Sequence, residues 1–337
     1  MAVAATLAAC VAPNQVVAGS HVTIATDSAV RGLNPGSTQG QAAARLGVDL
    51  ALYAGFTIID ERGKPVPDLS FGTMRVVAED PLTVRYTVAD ATRWSDGTPV
   101  DGVDLLLDWA AHSGRWPGFA ATIGGGAGGA ETLPTLSADR KSLTVVFDDA
   151  ATARPELQFA APMPAHVVAT HALGVAGTEV AKDAVIAAVE AAAAGDDETL
   201  ARLAAFWSGR FVTNAPPEIL VTSGPYGVAE AAHGVLELRP NAQYAGDRRP
   251  RIQSVRIVTL PPLDGLQALT VNAADILAVT PSDEVAELVP MLGLRLLTTG
   301  DRVNTLIAVQ RQAVGGVEVG ADGRRLLWNV SEWTPTR

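Results

Sequence analysis

The residues with the most specific chemistry in this 337-residue chain are one cysteine and five histidines. Cys10 stands alone, so no disulfide can form within the chain and no cysteine-based zinc site can be built. His21, His112, His166, His171 and His233 are scattered. His166 and His171 are five apart, off any common helical face, and no metal site with converging ligands is expected. No Gly-x-Ser-x-Gly elbow presents a serine nucleophile. Asp148-Asp149 and Asp196-Asp197-Glu198 read as solvated loops, not as acid–base pairs. The Gly-rich run Gly124 to Gly129 lacks both the Lys-Ser/Thr of a phosphate loop and the glycine spacing of a dinucleotide fingerprint. The expectation is a protein that is not an enzyme and needs no cofactor.

Composition sets further bounds. The net charge is -11, and phosphate binding needs clustered Lys and Arg, so nucleic acid is not an expected partner. The short basic run Arg248-Arg249-Pro250-Arg251 reads as a solvated turn. Hydrophobic residues make up 48% of the chain, enough for a sizeable core. No apolar stretch after residue 20 reaches the roughly 18 to 20 residues of a spanning helix.

The elements that must carry these residues alternate. His21 to Thr26 has the pattern of a strand and Leu33-Asn34-Pro35-Gly36 of a turn. Gln41 to Leu52 has helical spacing. Residues 56–88 contain several short strands, with Met74 to Ala78 and Thr83 to Val88 joined by Glu79-Asp80-Pro81. Ser95-Asp96-Gly97 is a turn needing a left-handed glycine, and Asp101 or Gly102 can cap the helix that follows from Val103. Pro162 to Val167 opens another helix, residues 178–210 are Ala-rich and helical, and Ile252 to Leu260 is a strand. Strands and helices in alternation, with a β-rich stretch at about 55–150, predict an α/β protein.

Leu7-Ala8-Ala9-Cys10 follows a run of small apolar residues and resembles a bacterial lipobox, in which the cysteine after the cut carries diacylglycerol. Acyl chains bury methylenes at about 0.8 kcal/mol each and can hold a domain at a membrane surface. The stretch Met1 to Ala9 is shorter than a full leader, so the expected signal peptide begins upstream of Met1 or has been trimmed.

Four segments in order resemble the family 5 extracellular solute-binding proteins of ABC importers, the dipeptide, oligopeptide and nickel group. The first is Trp94-Ser95-Asp96-Gly97-Thr98-Pro99 running to Asp104. The second is Pro162-Met163-Pro164-Ala165-His166-Val167. The third is Ser223-Gly224-Pro225-Tyr226 with Arg239-Pro240-Asn241 and Tyr244, where the family usually has Asn before Pro. The fourth is Leu266 to Ile276. A tail with Trp328-Asn329 and Trp333 resembles the family's carboxyl end.

The resemblance implies a periplasmic-binding-protein-like type II α/β fold with a β-rich insertion subdomain and a shortened second lobe. It divides the chain into a residual signal peptide and lipobox (1–10), a tether (11–20) and a first lobe (21–54 and 151–262). The insertion is 55–150, a remnant of the second lobe 263–303, and a tail returning to the first lobe 304–337, with a deletion junction near 295–305. It implies a monomeric substrate-binding lipoprotein that hands peptides or similar small solutes to ABC permease subunits. The protein would be lipid-anchored through Cys10 to the outer face of the bacterial cytoplasmic membrane. First-lobe contacts to the solute would fall at Ser37, Thr38 and Gln39, with Trp116 and Phe119 as an aromatic wall. The alternative is a single-lobe relative that binds nothing tightly.

Overall fold

The computed structural model of the chain describes residues 16–59, 65–122, 132–150, 152–232, 234–280, 282–298 and 306–309. Strand β1 (Val17–Thr26) is buried continuously from Val22 to Thr26. The Val22 to Thr26 run therefore has no solvent face, which is the pattern of a strand covered on both sides, while His21 before it is exposed. A short 3-10 turn (Thr38–Gly40) leads into α1 (Gln41–Arg45) and α2 (Val48–Leu52). The sequence suggests one helix here, but Gly47 adopts a left-handed φ of 71° and splits it.

The β-rich region opens with a hairpin of β2 (Thr57–Ile59) and β3 (Pro65–Pro67). Next come β4 (Gly72–Glu79), β5 (Leu82–Val88), helix α3 (Gly102–His112), β6 (Thr135–Leu136) and β7 (Ser142–Val146). The strands form a four-stranded antiparallel sheet in the order β4-β5-β7-β6. Helix α3 begins with a capping box: Asp101 accepts from Val103 N, and Asp104 reaches back to Asp101 N at 2.9 Å. Nearly every residue of α3 is buried, because it packs on β5 and β7 on one side and on the helices that follow on the other.

Three helices come next: α4 (Ala165–Leu173), α5 (Thr178–Ala193) and α6 (Glu198–Gly209). Then β8 (Tyr226–Ala232), β9 (Val235–Pro240), β10 (Ile252–Thr259), α7 (Pro262–Thr270), β11 (Ile276–Val279), α8 (Asp283–Met291), β12 (Arg295–Thr298) and β13 (Leu306–Val309) complete the described chain. Together with β1 these strands make a seven-stranded mixed sheet, in the order β12-β13-β11-β1-β10-β9-β8. Only β10-β1-β11 run parallel, and they end level: Thr26 pairs with Thr259 on one side and Ala278 on the other.

Two apolar cores flank this sheet. The larger is continuous through the four-stranded sheet, α3 to α6 and one face of the large sheet. The smaller joins Ala25, Leu277 and Val279 to Leu266 and Leu269 of α7 and to Val285 and Val289 of α8. Residues 263–303, expected as a remnant of a second lobe, therefore place β11 beside β1 and fully bury it. Hydrogen bonding to β1 and the core beneath α7 and α8 make β11 part of the sheet that β1 centres. Strand β13, within the expected tail 304–337, pairs with β11 in that same sheet. The rest of the tail and most of the expected junction lie outside the described residues.

Candidate functional site

In open α/β sheets ligands bind in the crevice beyond the carboxyl ends of parallel strands. Here that edge is closed by short links. Leu260 N donates to Thr26 O at 2.8 Å, and Thr280 N donates to Asp27 Oδ2 at 2.8 Å. The chain leaving β1 is then pinned to α6. Leu33 N donates to Phe211 O, and the Asn34 side-chain amide donates to Trp207 O, both at 2.8 Å.

This fixed loop presents the predicted contact residues. Ser37 is buried; its hydroxyl donates to Asn34 O at 2.9 Å and accepts from Gly40 N at 3.2 Å, so it caps the 3-10 turn. Thr38 and Gln39 are exposed at the tip of that turn. A side chain at Gly40 is excluded, since a Cβ there would sit 1.7 Å from Asn34 O.

The second predicted segment lies beside the first. Ser37 and Ala121 form an antiparallel bridge; Thr38 N donates to Ala120 O at 3.1 Å and Thr122 N to Gly36 O at 2.8 Å. The aromatic rings of this segment face inward. Trp116 packs edge-on against Trp109 with centroids 5.8 Å apart, and Phe119 against Trp207 at 5.6 Å. Both are buried, and the Arg115 guanidinium covers the Trp116 ring at 5.0 Å. The segments 37–39 and 116–119 are thus neighbours, but what they expose is Thr38, Gln39, Pro117 and Gly118, not the two rings.

An open cleft of about 230 Å³ lies on the other side of the Pro35-Gly36 turn. Its polar lining comes from Asp49 of α2, from Asp108 and His112 of α3, and from Thr122; Leu157 and Ala161 add apolar walls. The His112 Nδ1–H donates to the Asp108 carbonyl at 2.9 Å, and the Asp108 carboxylate lies 3.5 Å away. Burial pulls the imidazole pKa down, but the charge and hydrogen bonds of Asp108 outweigh it and leave His112 above its usual value. Trp207 packs edge-on to the ring at 5.6 Å. Gly36 makes room for it, because a Cβ there would lie 2.8 Å from His112 Nε2. The sequence sets His112 among scattered histidines and does not single out Asp108; their spacing of four residues on one helix was the available signal.

The recognition motifs meet elsewhere, in a buried polar knot. Asp104 is fully buried and accepts from Trp94 Nε1 at 3.2 Å, Asp101 N at 2.9 Å and Ala165 N at 2.8 Å. Lys182, also buried, lies 2.8 Å from Asp101 Oδ2 and donates to Pro99 O at 2.9 Å. Burial opposes its charge, but Asp104 and Asp101 prevail and hold its pKa above the ordinary lysine value. Asp96 Oδ2 accepts from His166 Nε2 at 2.8 Å. Burial raises the Asp96 pKa, yet hydrogen bonds from His166 and Thr98 N bring it below the usual carboxylate range. The third motif docks on the first through Ser95 N to Thr222 O at 2.7 Å. Gly224 abuts the end of α2 so closely that a Cβ would lie 2.6 Å from Ala51 O. This knot joins the three motif segments and Lys182 of α5.

The remaining chemical candidates take structural places. His171 stacks on Phe206 at 11°. The basic run is more than a solvated turn: Arg248 donates to Leu50 O at 3.1 Å and Arg249 to Tyr244 O at 2.8 Å. Asp148, Asp149, Asp196, Asp197 and Glu198 are exposed. No group of metal-ligating side chains and no helix long and apolar enough to cross a membrane occurs among the described residues. Cys10, His233 and the Gly124 to Gly129 run lie outside the described residues.

No family model matches this sequence. Over 154 residues the chain is 34% identical to an uncharacterized lipoprotein of Mycobacterium leprae, covering 45% of this chain and 28% of that protein. The fold superposes on the periplasmic EDTA-binding protein EppA with a TM-score of 0.63 at 18% identity, covering 85% of this chain and 49% of the other. Lactococcal OppA, complexed with an endogenous peptide in the closed conformation, gives 0.54 at 17% identity, covering 83% and 49%. The chain thus spans about half the length of these solved proteins and 28% of the lipoprotein. The protein has the mixed α/β fold of the periplasmic solute-binding proteins.

Proposed function

We propose that this protein is the substrate-binding lipoprotein of an ABC importer, capturing peptides or similar small solutes and passing them to permease subunits. The fold carries this reading: a sheet and core like those of the binding proteins, with a hydrogen-bonded loop that presents Thr38 and Gln39 to solvent. Ser37 acts by holding that loop, and Trp116 and Phe119 by backing it. The likeness to a lipoprotein supports diacylglycerol on Cys10 and a place on the outer face of the cytoplasmic membrane. The reading includes a monomer with no catalytic activity and no cofactor, whose residues 55–150 form the insertion subdomain.

Thermal shift against peptide pools tests capture, because a ligand of the folded state must raise the melting temperature. Pools that bind are expected to raise it by several degrees. No shift with any pool, from a sample with a cooperative melt, would sink the reading. It would favour a relative that binds nothing tightly, for which the inward packing of Trp116 and Phe119 speaks.

A further inference from the structure

The two helices over the smaller core end at one edge of the large sheet. Strand β11 is parallel to β1, and β12 runs the same way, since β11 and β12 are each antiparallel to β13. Helices α7 and α8 lead into β11 and β12, so their carboxyl ends lie at the amino edge of those strands. Both helices stop in the same manner. After α8, Gly293 takes a φ of 74°; its N–H donates to Pro290 O at 3.0 Å, and Leu294 N donates to Val289 O at 3.1 Å. After α7, Asn272 takes a φ of 59°; its N–H donates to Leu269 O at 3.3 Å, and Ala273 N donates to Ala268 O at 2.8 Å. These are Schellman turns, which satisfy late helix carbonyls within the chain itself. The residues leading into them are apolar and face solvent: Val271 is 63% exposed, Met291 79% and Leu292 45%. Single exposed apolar residues are ordinary, but these share one edge. Residues 269–274 and 288–294 contain no charged side chain, in a chain of net charge -11. This edge can therefore leave water without desolvating a charge or breaking the backbone bonds of its turns.

The chain also enters the sheet at this edge. Val17 pairs with Ile252, and β11 begins beside Ile24, seven residues further along β1. At about 3.3 Å per residue, Val17 stands roughly 23 Å beyond the start of β11. Six residues lead from Cys10 to Val16, and fully extended they reach at most about 22 Å. A bilayer holding a lipid on Cys10 thus lies within reach of the start of β1 and, with the sheet inclined, of the ends of α7 and α8.

We propose that Val271, Met291 and Leu292 form a membrane-facing surface, whose side chains enter the interface of the bilayer to which Cys10 is anchored. The proposal rests on the lipid-anchor reading. One acyl anchor leaves the domain free to turn, and a second contact fixes its orientation. The contact is apolar, so it needs no anionic lipid and holds at high salt.

Cys10 is the single cysteine, so the full chain can be coupled through its thiol to a maleimide-headed lipid in phosphatidylcholine vesicles. The readout is the rate at which hydrogen peroxide oxidises each methionine, followed by peptide mass spectrometry. Met291 is expected to react readily in solution and about fivefold more slowly on vesicles, at low and high salt alike. Met74, half-buried on β4 of the other sheet, should keep its rate and serve as the internal reference. Val271→Gln with Leu292→Gln, at two exposed positions, should restore most of the Met291 rate on vesicles. If that variant does not fold, the comparison of Met291 with Met74 in the wild-type chain decides. An unchanged Met291 rate on vesicles, or equal slowing of Met74, overturns the proposal. So does slowing of Met291 with rising protein concentration in the absence of vesicles, which would assign the edge to a second copy of the chain. The anchor is checked separately, by the mass of the chain extracted from bacterial membranes. Cys10 without diacylglycerol would sink the anchor reading, whatever the coupled chain shows. Lipid on Cys10 with Met291 unprotected would sink the surface alone.

Discussion

Two polar regions lie in this molecule on either side of α3, and they differ in how completely their groups are matched. At the start of the helix, Asp104 receives three donors and Lys182 sits against Asp101 and a backbone carbonyl, all away from solvent. At its end, Asp108 and His112 hold one another but border open space. A buried charge is costly unless paired and hydrogen-bonded, so the first region is stable only when complete. The second tolerates an open side because its two groups satisfy one another. Burial and unusual charge therefore do not identify a binding site by themselves.

The comparison can be broken most directly at Asp104. Replacement by Leu leaves Trp94 Nε1, Asp101 N and Ala165 N without their acceptor and removes one counter-charge of Lys182. Urea titration should show a loss of about 3–5 kcal/mol or no folded protein. Trp116→Ala should cost about 3 kcal/mol, because its ring is packed on Trp109 and is not an exposed wall. A loss of solute binding with full stability would instead make Trp116 a contact residue. Gly224→Ala, which forces a Cβ against the end of α2, should cost about 1–3 kcal/mol by the same assay.

Smaller effects sharpen the contrast. The Asp96 carboxyl titrates below its unfolded value, so its contribution to stability is present above about pH 4 and is lost as pH falls through the folded pKa. The urea midpoints of wild type and Asp96→Asn should differ at pH 7 and converge at low pH. Gln39→Ala, at an exposed turn, should change stability by under about 0.5 kcal/mol yet weaken solute binding. Unaltered binding would remove Gln39 from the contact set.

Much of the fold was legible because local patterns agree with tertiary packing. The strands at 74–78, 83–88 and 252–260 and the helical stretch at 178–210 fall close to where spacing and breakers put them. The break at Gly47 was not, since a glycine in a helical pattern can be tolerated or can turn the chain. Nor was the second core beneath α7 and α8, because burial of both faces of β1 depends on segments more than 200 residues away. Of the candidate contacts, the neighbourhood of 37–39 and 116–119 followed from the resemblance. The inward turn of Trp116 and Phe119 depends on Trp109 and Trp207, which no short motif links to them. The pairing of His112 with Asp108 was open to reading from helical spacing, but only the tertiary structure shows the space they border.

The separation of the two cores has a consequence for how the molecule opens. The β-rich region shares one continuous core with α3 to α6, so its amides should exchange with solvent only when that whole body unfolds. The layer of α7 and α8 rests on a much smaller cluster across the sheet. Its amides should form a second, less protected group, and a protease at low concentration should cut first between Leu260 and Leu292. The large sheet would then be a seam between a durable body and a cover that lifts on its own.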